Sequence, residues 1–271
     1  MIIDCHCHAG KGDGLTGPWD TSAPLRDFMR WSRRAGIDRT NLFAAFHTDY
    51  AVANRQVAAI VAANPTLFYG FAMIDPRNDA GRVEDLVRVA VRRYGFRGIK
   101  VHRIQSGITR EVCETAARWS LPILYDVAGA VSQIELLAGE YPNINFIIPH
   151  LGSFSDDWRA QLALIDHLVR HPNIFADTSA VRRFDLLLTA VRRAGPRKFL
   201  FGSDGPWTHP GVELEKIKAL AHELKLSHAD RQLILGKNFL RLIRPTRRNN
   251  PPIGPKRLSA AAPAGRSRFS P

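Results

Sequence analysis

The sequence is poor in cysteine, and the little it has excludes a disulfide-built fold: Cys5, Cys7 and Cys113 are the only three in 271 residues. No apolar stretch approaches the ~20 residues needed to cross a bilayer. No secretory apolar segment opens the sequence, so a reducing cytoplasm is the expected compartment and a membrane is not an expected partner. Phosphate-binding signatures are scarce too. No G-x-x-x-x-G-K-[ST] occurs, and no glycine fingerprint joins a candidate strand directly to a helix, which argues against a doubly wound nucleotide fold. Helix-turn-helix, zinc-finger, RNP and KH patterns are missing, so nucleic acid is not an expected partner in spite of the charge. Acids are few: 25 Asp and Glu stand against 38 Lys and Arg, for a net charge of +13.

What is present divides the chain in two. From Arg244 to Pro271 there are seven Lys and Arg and no acid. This segment, 244–271, also holds Pro245, Pro251, Pro252, Pro255, Pro263 and Pro271 and has almost no apolar periodicity, the composition of a disordered basic tail. The body, 1–243, is left with a mild excess of +6, which suits a small anionic substrate. In the body, short β-branched or aromatic runs alternate with longer helical patterns. Strands are expected at Ile2–His6, Arg39–Phe46, Leu67–Met73, Gly98–His102, Pro122–Asp126, Ile144–Pro149, Ile174–Asp177 and Lys198–Phe201. Helices are expected at Pro24–Ala35, Tyr50–Ala63, Arg82–Arg93, Thr109–Trp119, Ser132–Gly139, Asp156–Val169, Arg182–Arg193, Val212–Ala221 and His228–Leu235, with Thr109 as an N-cap. Eight strands, each followed by helix, in a body near the ~250 residues usual for the fold predict an α/β protein of the (β/α)8 TIM-barrel type.

Polar residues recur where these strands end. Side chains alternate along a strand, so Asp4, His6 and His8 share one face while Cys5 and Cys7 share the other and pack as small apolar residues. Two imidazoles spaced i, i+2 can converge on one metal ion. Later strands end in His102, preceded on the same face by Lys100, and in Asp126, His150 and Asp204; His47 follows the second strand. In a barrel all these C-terminal strand ends surround one mouth. Arg103, Arg182 and Arg183 stand on loops at that mouth, and a guanidinium fork is the natural reader of a carboxylate. Trp19 and Trp207 could wall an apolar part of a ligand. Each of these side chains alone has a plainer explanation at a surface or rim; their joint placement is what carries information.

Four pieces together resemble the amidohydrolase superfamily. They are Asp4-Cys5-His6-Cys7-His8, Gly98-Ile99-Lys100-Val101-His102, Pro149-His150-Leu151-Gly152 and Phe201-Gly202-Ser203-Asp204-Gly205-Pro206, with Leu235 to Leu242 like a closing helix. The likeness is to the amidohydrolase-related (amidohydrolase 2) branch, which includes 2-pyrone-4,6-dicarboxylate lactonase-like and aminocarboxymuconate semialdehyde decarboxylase-like proteins. The resemblance implies one divalent metal ion, Zn first and Mn or Fe as alternatives, held by His6, His8 and Asp204. It implies a further ligand at the end of strand five, where relatives usually have His and this chain has Asp126. His150 matches a histidine that acts as acid/base or ligand, and Asp204 and His150 become the expected catalytic pair. Lys100 either pairs with a carboxylate or substrate or, as in some relatives, carries a bridging carbamate. Lys100, His102, Arg103, Arg182, Trp19 and Trp207 are the expected substrate contacts. The implied activity is hydrolysis of a small, carboxylated lactone, ester or amide by activated water. The alternatives are a nonoxidative decarboxylase or hydratase of an aromatic or dienoic acid, and a barrel without catalysis. A homodimer is compatible with the resemblance.

Overall fold

The computed structural model describes residues 1–13, 23 and 25–244. The expected tail therefore lies outside the described residues except for Arg244, and so does Trp19. Nine short strands run in chain order: β1 (Ile3–Ala9), β2 (Arg39–Ala44), β3 (Phe68–Gly70), β4 (Ala72–Ile74), β5 (Ile99–His102), β6 (Ile123–Asp126), β7 (Phe146–Ile148), β8 (Ile174–Asp177) and β9 (Phe199–Leu200). Every pair is parallel, and within the two runs β1–β3 and β4–β9 each strand lies beside the next in sequence. The third barrel position is split at Phe71, where β3 ends and β4 begins; its backbone bridges the split, since Phe71 N donates to Leu42 O and Ala72 N to Gly98 O. The ring closes where Cys5 N donates to Phe201 O at 2.9 Å and Cys7 bridges Gly205 in parallel. This is a (β/α)8 barrel.

Helices cover the outside: α1 (Leu25–Ala35), α2 (Tyr50–Ala63), α3 (Val83–Tyr94), α4 (Arg110–Trp119), α5 (Ser132–Glu140), α6 (Trp158–Arg170), α7 (Phe184–Ala194), α8 (Pro210–Glu223), α9 (His228–Gln232) and α10 (Asn238–Leu242). Their starts follow capping chemistry where a suitable side chain exists. The Asp49 carboxylate accepts from two backbone N–H groups at the start of α2, and Asp157 does the same for α6. That cap moves the beginning of α6 from the expected Asp156 to Trp158. Thr109 occupies the cap position of α4, but its hydroxyl makes no capping bond. The expected helix from His228 to Leu235 is interrupted instead: a π-type turn over Leu233–Lys237 separates α9 from α10.

The buried apolar side chains fall into two clusters. Ile99, Val101, Ile123, Tyr125, Phe146, Ile148, Ile174 and Ala176 pack outward against the helices. Leu124, Ile147, Phe175 and Leu200 pack with Met73, Phe71 and Phe239 in the other cluster, together with Cys5 and Cys7. Both cysteines are fully buried. The period of two then dictates that Lys100 and His102, Leu124 and Asp126, and Phe175 and Asp177 share faces. The same alternation that builds the apolar filling thus carries polar groups to its open end.

Candidate metal centre

β1 brings His6 and His8 to the barrel mouth, and the segment after β9 brings Asp204 to meet them. His6 Nε2 lies 3.2 Å and His8 Nε2 3.8 Å from Asp204 Oδ1. One ligand atom from each of the three residues lies within 4.8 Å of the other two, and all three are buried. The outer nitrogens of the rings are fixed by acceptors. His6 Nδ1 faces Asp177 Oδ2 at 2.8 Å, and His8 Nδ1 faces the Ala44 carbonyl at 3.0 Å. These partners place a proton on Nδ1 and turn Nε2 toward Asp204, as the outer partners of metal-ligating histidines do.

The electrostatics favour positive charge at this point. Burial and the Lys100 ammonium pull the His6 pKa down, but Asp177 and Asp204 outweigh them and bring it to about 9. Burial, with His6 and Lys100 nearby, holds His8 well below the usual imidazole value. Two imidazole nitrogens and a carboxylate oxygen converge here. A divalent ion fits that donor set.

Across the mouth stands a second polar group. Asp126 ends β6, and its Oδ2 lies 3.0 Å from His102 Nε2 and 3.7 Å from His150 Nε2. The Ile104 N–H donates to His102 Nδ1, so the His102 proton sits on Nε2 and points at Asp126. Against the upward push of burial, His102, His150 and Lys100 hold the Asp126 carboxyl well below the usual range. His150 Nδ1 lies 2.9 Å from the Ser179 carbonyl, leaving Nε2 toward the cavity. The rings of His6 and His150 are 5.1 Å apart. Asp126 is thus turned to two histidines rather than to the His6–His8–Asp204 group expected to share an ion with it.

Backbone strain marks the same place. His150 and Asp204 adopt φ of 57° and 62°, a region that costs a non-glycine residue about 1 kcal/mol or more. Hydrogen bonds from their own N–H groups, His150 to Asp177 and Asp204 to the His6 carbonyl, hold them there. Among the described residues the resulting cavity, about 220 Å³, has His6, His8, His102, Asp126, His150, Ser155 and Asp204 as its polar lining. Phe46, Ile104, Phe154 and Trp207 form apolar walls. Trp207 leans on His8 with ring centroids 4.3 Å apart.

The remaining expected contacts lie elsewhere. Arg103 donates to Gln133, and Arg182 pairs with Asp156 at 2.6 Å and with the Phe154 carbonyl; neither lines the cavity. Both sit on mouth loops, but nearer acceptors hold the guanidinium groups. Lys100 is fully buried, with Nζ lacking a hydrogen-bond partner and lying 5.0 Å over the Phe43 ring. Burial pulls its pKa down. Asp4 lies on the face predicted for it yet does not reach the cavity, because it accepts from Ser203 Oγ and N. Sequence reasoning missed Asp177, which orients His6 and accepts from Ser179 Oγ at 2.6 Å. The signal was there, since Asp177 ends its strand as Asp126 does. The Ala44 and Ser179 carbonyls had no signal, because every residue has one.

The sequence model of the amidohydrolase family (Amidohydro_2) matches residues 3–244. Comparison with curated proteins gives no significant match. Among solved structures, 2,6-dihydroxybenzoate decarboxylase from Rhizobium is similar at 17% identity and a TM-score of 0.68, covering 89% of this chain and 98% of that one. Dihydroxybenzoic acid decarboxylase from Polaromonas sp. JS666, with bound manganese and the inhibitor 2-nitroresorcinol, is similar at 18% identity and 0.64, covering 89% and 96%. An amidohydrolase from Burkholderia multivorans is similar at 15% identity and 0.73, covering 90% and 99%. At these identities the likeness concerns the fold.

Proposed function

The chain belongs to the amidohydrolase family, and on that premise we propose that it is a metal-dependent, nonoxidative decarboxylase of a small aromatic or dienoic acid. One observation moves this reading ahead of hydrolysis of a carboxylated lactone or ester. Among the described residues no Arg or Lys lines the cavity, and its walls include Phe46, Phe154 and Trp207. A flat acid with a single carboxylate suits such a chamber, because an ion at His6, His8 and Asp204 is all the positive charge it needs. Arg103 and Arg182, expected to read a carboxylate, are not among the described residues that line it. The two decarboxylases of similar fold, one with manganese and a resorcinol inhibitor, support the same substrate class.

His6, His8 and Asp204 hold the ion in this reading, Zn first and Mn or Fe next, since imidazole and carboxylate suit all three. A bound ion would supply a fixed positive charge at the mouth, which suits an anionic substrate. The chain's own residues handle the proton. His150 presents Nε2 to the cavity, 3.7 Å from Asp126 Oδ2, and is placed to deliver a proton there. That proton is added to the carbon bearing the carboxylate, using a π electron pair of the substrate. The bond to the carboxyl carbon then breaks, its electron pair restores the π system, and CO2 leaves. Water returns the proton to His150. His102, fixed on Asp126 at 3.0 Å, keeps that carboxylate aimed. Trp207 and Phe154 exclude water from the ring.

The test is to incubate zinc- or manganese-loaded protein with hydroxybenzoates, dienoic acids, lactones and esters. CO2 release, with one deuterium at the vacated carbon when the reaction runs in D2O, is the expected result. Cleaved lactone or ester without CO2 overturns the decarboxylase and assigns hydrolysis.

A further inference from the structure

On the outside of the barrel, α5 and the end of α6 bring two imidazoles and a carboxylate together. His167 and His171 are four residues apart, so they fall on one face of α6 and its C-terminal cap. Glu135 reaches them from the first turn of α5. Its Oε2 is 3.8 Å from His167 Nδ1, and its Oε1 is 3.4 Å from His171 Nε2. One donor atom from each residue lies within 4.8 Å of the other two. We infer that Glu135, His167 and His171 form a second metal site, separate from the barrel mouth, that takes a borderline transition-metal ion such as Zn2+ and ties α5 to α6.

Three features carry this beyond proximity. The spacing is close to what an ion needs: ligands about 2.0–2.1 Å from tetrahedral zinc stand about 3.4 Å from one another. The donor on the buried histidine is available. Arg170 Nη2, which can only donate, lies 3.1 Å from His167 Nδ1, so that nitrogen carries a lone pair. The position also attracts positive charge, because the same guanidinium lies 3.3 Å from Glu135 Oε1 and the end of α6 adds its partial negative charge. Arg170 thus stands where a cation would, and with its side chain 55% exposed it can swing into solvent. His167, at 5% exposure, stays fixed by packing. Two imidazoles with one carboxylate select Zn2+, Ni2+ or Cu2+ over Mg2+ or Ca2+, which prefer all-oxygen shells. A fourth position is left for water.

The experiment uses the full chain, stripped of metal and equilibrated with buffered zinc, and counts ions per chain. The wild type is expected to hold two. His171→Ala is expected to hold one while keeping the wild-type circular dichroism, and Glu135→Gln, at a half-buried position and nearly isosteric, provides the same loss with less risk to folding. Arg170→Ala removes the competing cation and is expected to tighten the second binding step in a zinc titration. Two ions retained in both His171→Ala and Glu135→Gln, or an isotherm for the second step unchanged by all three substitutions, overturns the site. So does a single ion in the wild type, which leaves Glu135 as an ion-pair partner of Arg170 and nothing more.

Discussion

Asp177 and Lys100 occupy the same barrel face as the metal cluster without lining the cavity, and each acts through neighbours. Asp177 accepts from His6 Nδ1 and from Ser179, and His6 with Ser179 keeps it ionised below the usual range against the upward push of burial. Asp177→Asn keeps the volume but removes the charge that sets the His6 proton. It is expected to weaken zinc binding by about 10–100-fold, the range for losing the outer partner of a ligating histidine; a competition titration against a chromophoric chelator measures it, and unchanged affinity rejects the role. Lys100 holds its side-chain nitrogen in the core with no hydrogen-bond acceptor. Leaving a buried donor unpaired costs about 1–3 kcal/mol, so Lys100→Met is expected to raise the metal-free stability by about 1 kcal/mol in urea unfolding. A fall in stability would mean that the charge interactions with Asp126, Asp177 and Asp204 outweigh the burial. The register of β5 accounts for a polar residue in so costly a place: Lys100 must share the inward face with His102.

At the scale of elements, Lys198 joins the segment before β9 to the end of α6. Its Nζ donates to the His171 carbonyl and to the Ile174 carbonyl at 3.0 Å. Burial, with a smaller push from Arg241, lowers its pKa to about 8. In the unfolded chain a lysine keeps its proton up to about 10.4. Between these values the unfolded state binds more protons than the folded one, so stability rises with pH across the window; the destabilisation is fully present below about 8 and gone above about 10.4. Urea unfolding of wild type and Lys198→Met at pH about 7.5 and about 10 tests this, with the difference expected to shift toward the wild type at the higher pH. A pH-independent difference removes Lys198 as the cause. Elements also differ in how well a local pattern defines them. Asp157 sets the start of α6 through a bond that sequence alone can suggest, whereas the break between α9 and α10 contains Gly236, where an added Cβ would stand 3.0 Å from the Met1 carbonyl.

For the whole molecule, closure of the ring is the feature on which the site depends, and the split third strand is closely packed within it. A Cβ placed on Gly98 would stand 2.5 Å from the buried Phe71 ring. Gly98→Ala is therefore expected to lose about 1–3 kcal/mol by overpacking, seen as a lower unfolding midpoint, with zinc affinity at the mouth retained in the folded protein. A midpoint equal to that of the wild type would mean that Phe71 can move aside and that the split is not a packing constraint. No described helix is long and apolar enough to cross a membrane.

Much of this was legible in the residues themselves. The alternation of strand and helix, the parity of Asp4, His6 and His8, and the polar ends at His102, Asp126, His150 and Asp204 follow from local periodicity, which acts over a few residues and is written in the chain. What the chain could not state is which polar end faces which. The sequence leaves open whether Asp126 turns to an ion or to His102, and whether Arg103 and Arg182 reach the cavity or closer partners. Those choices depend on distances across the closed barrel between residues far apart in sequence, where a shift of an ångström or two decides which acceptor a side chain meets. The pairing of Glu135 with His167 and His171 is of the same kind, because it exists only once α5 and α6 lie side by side.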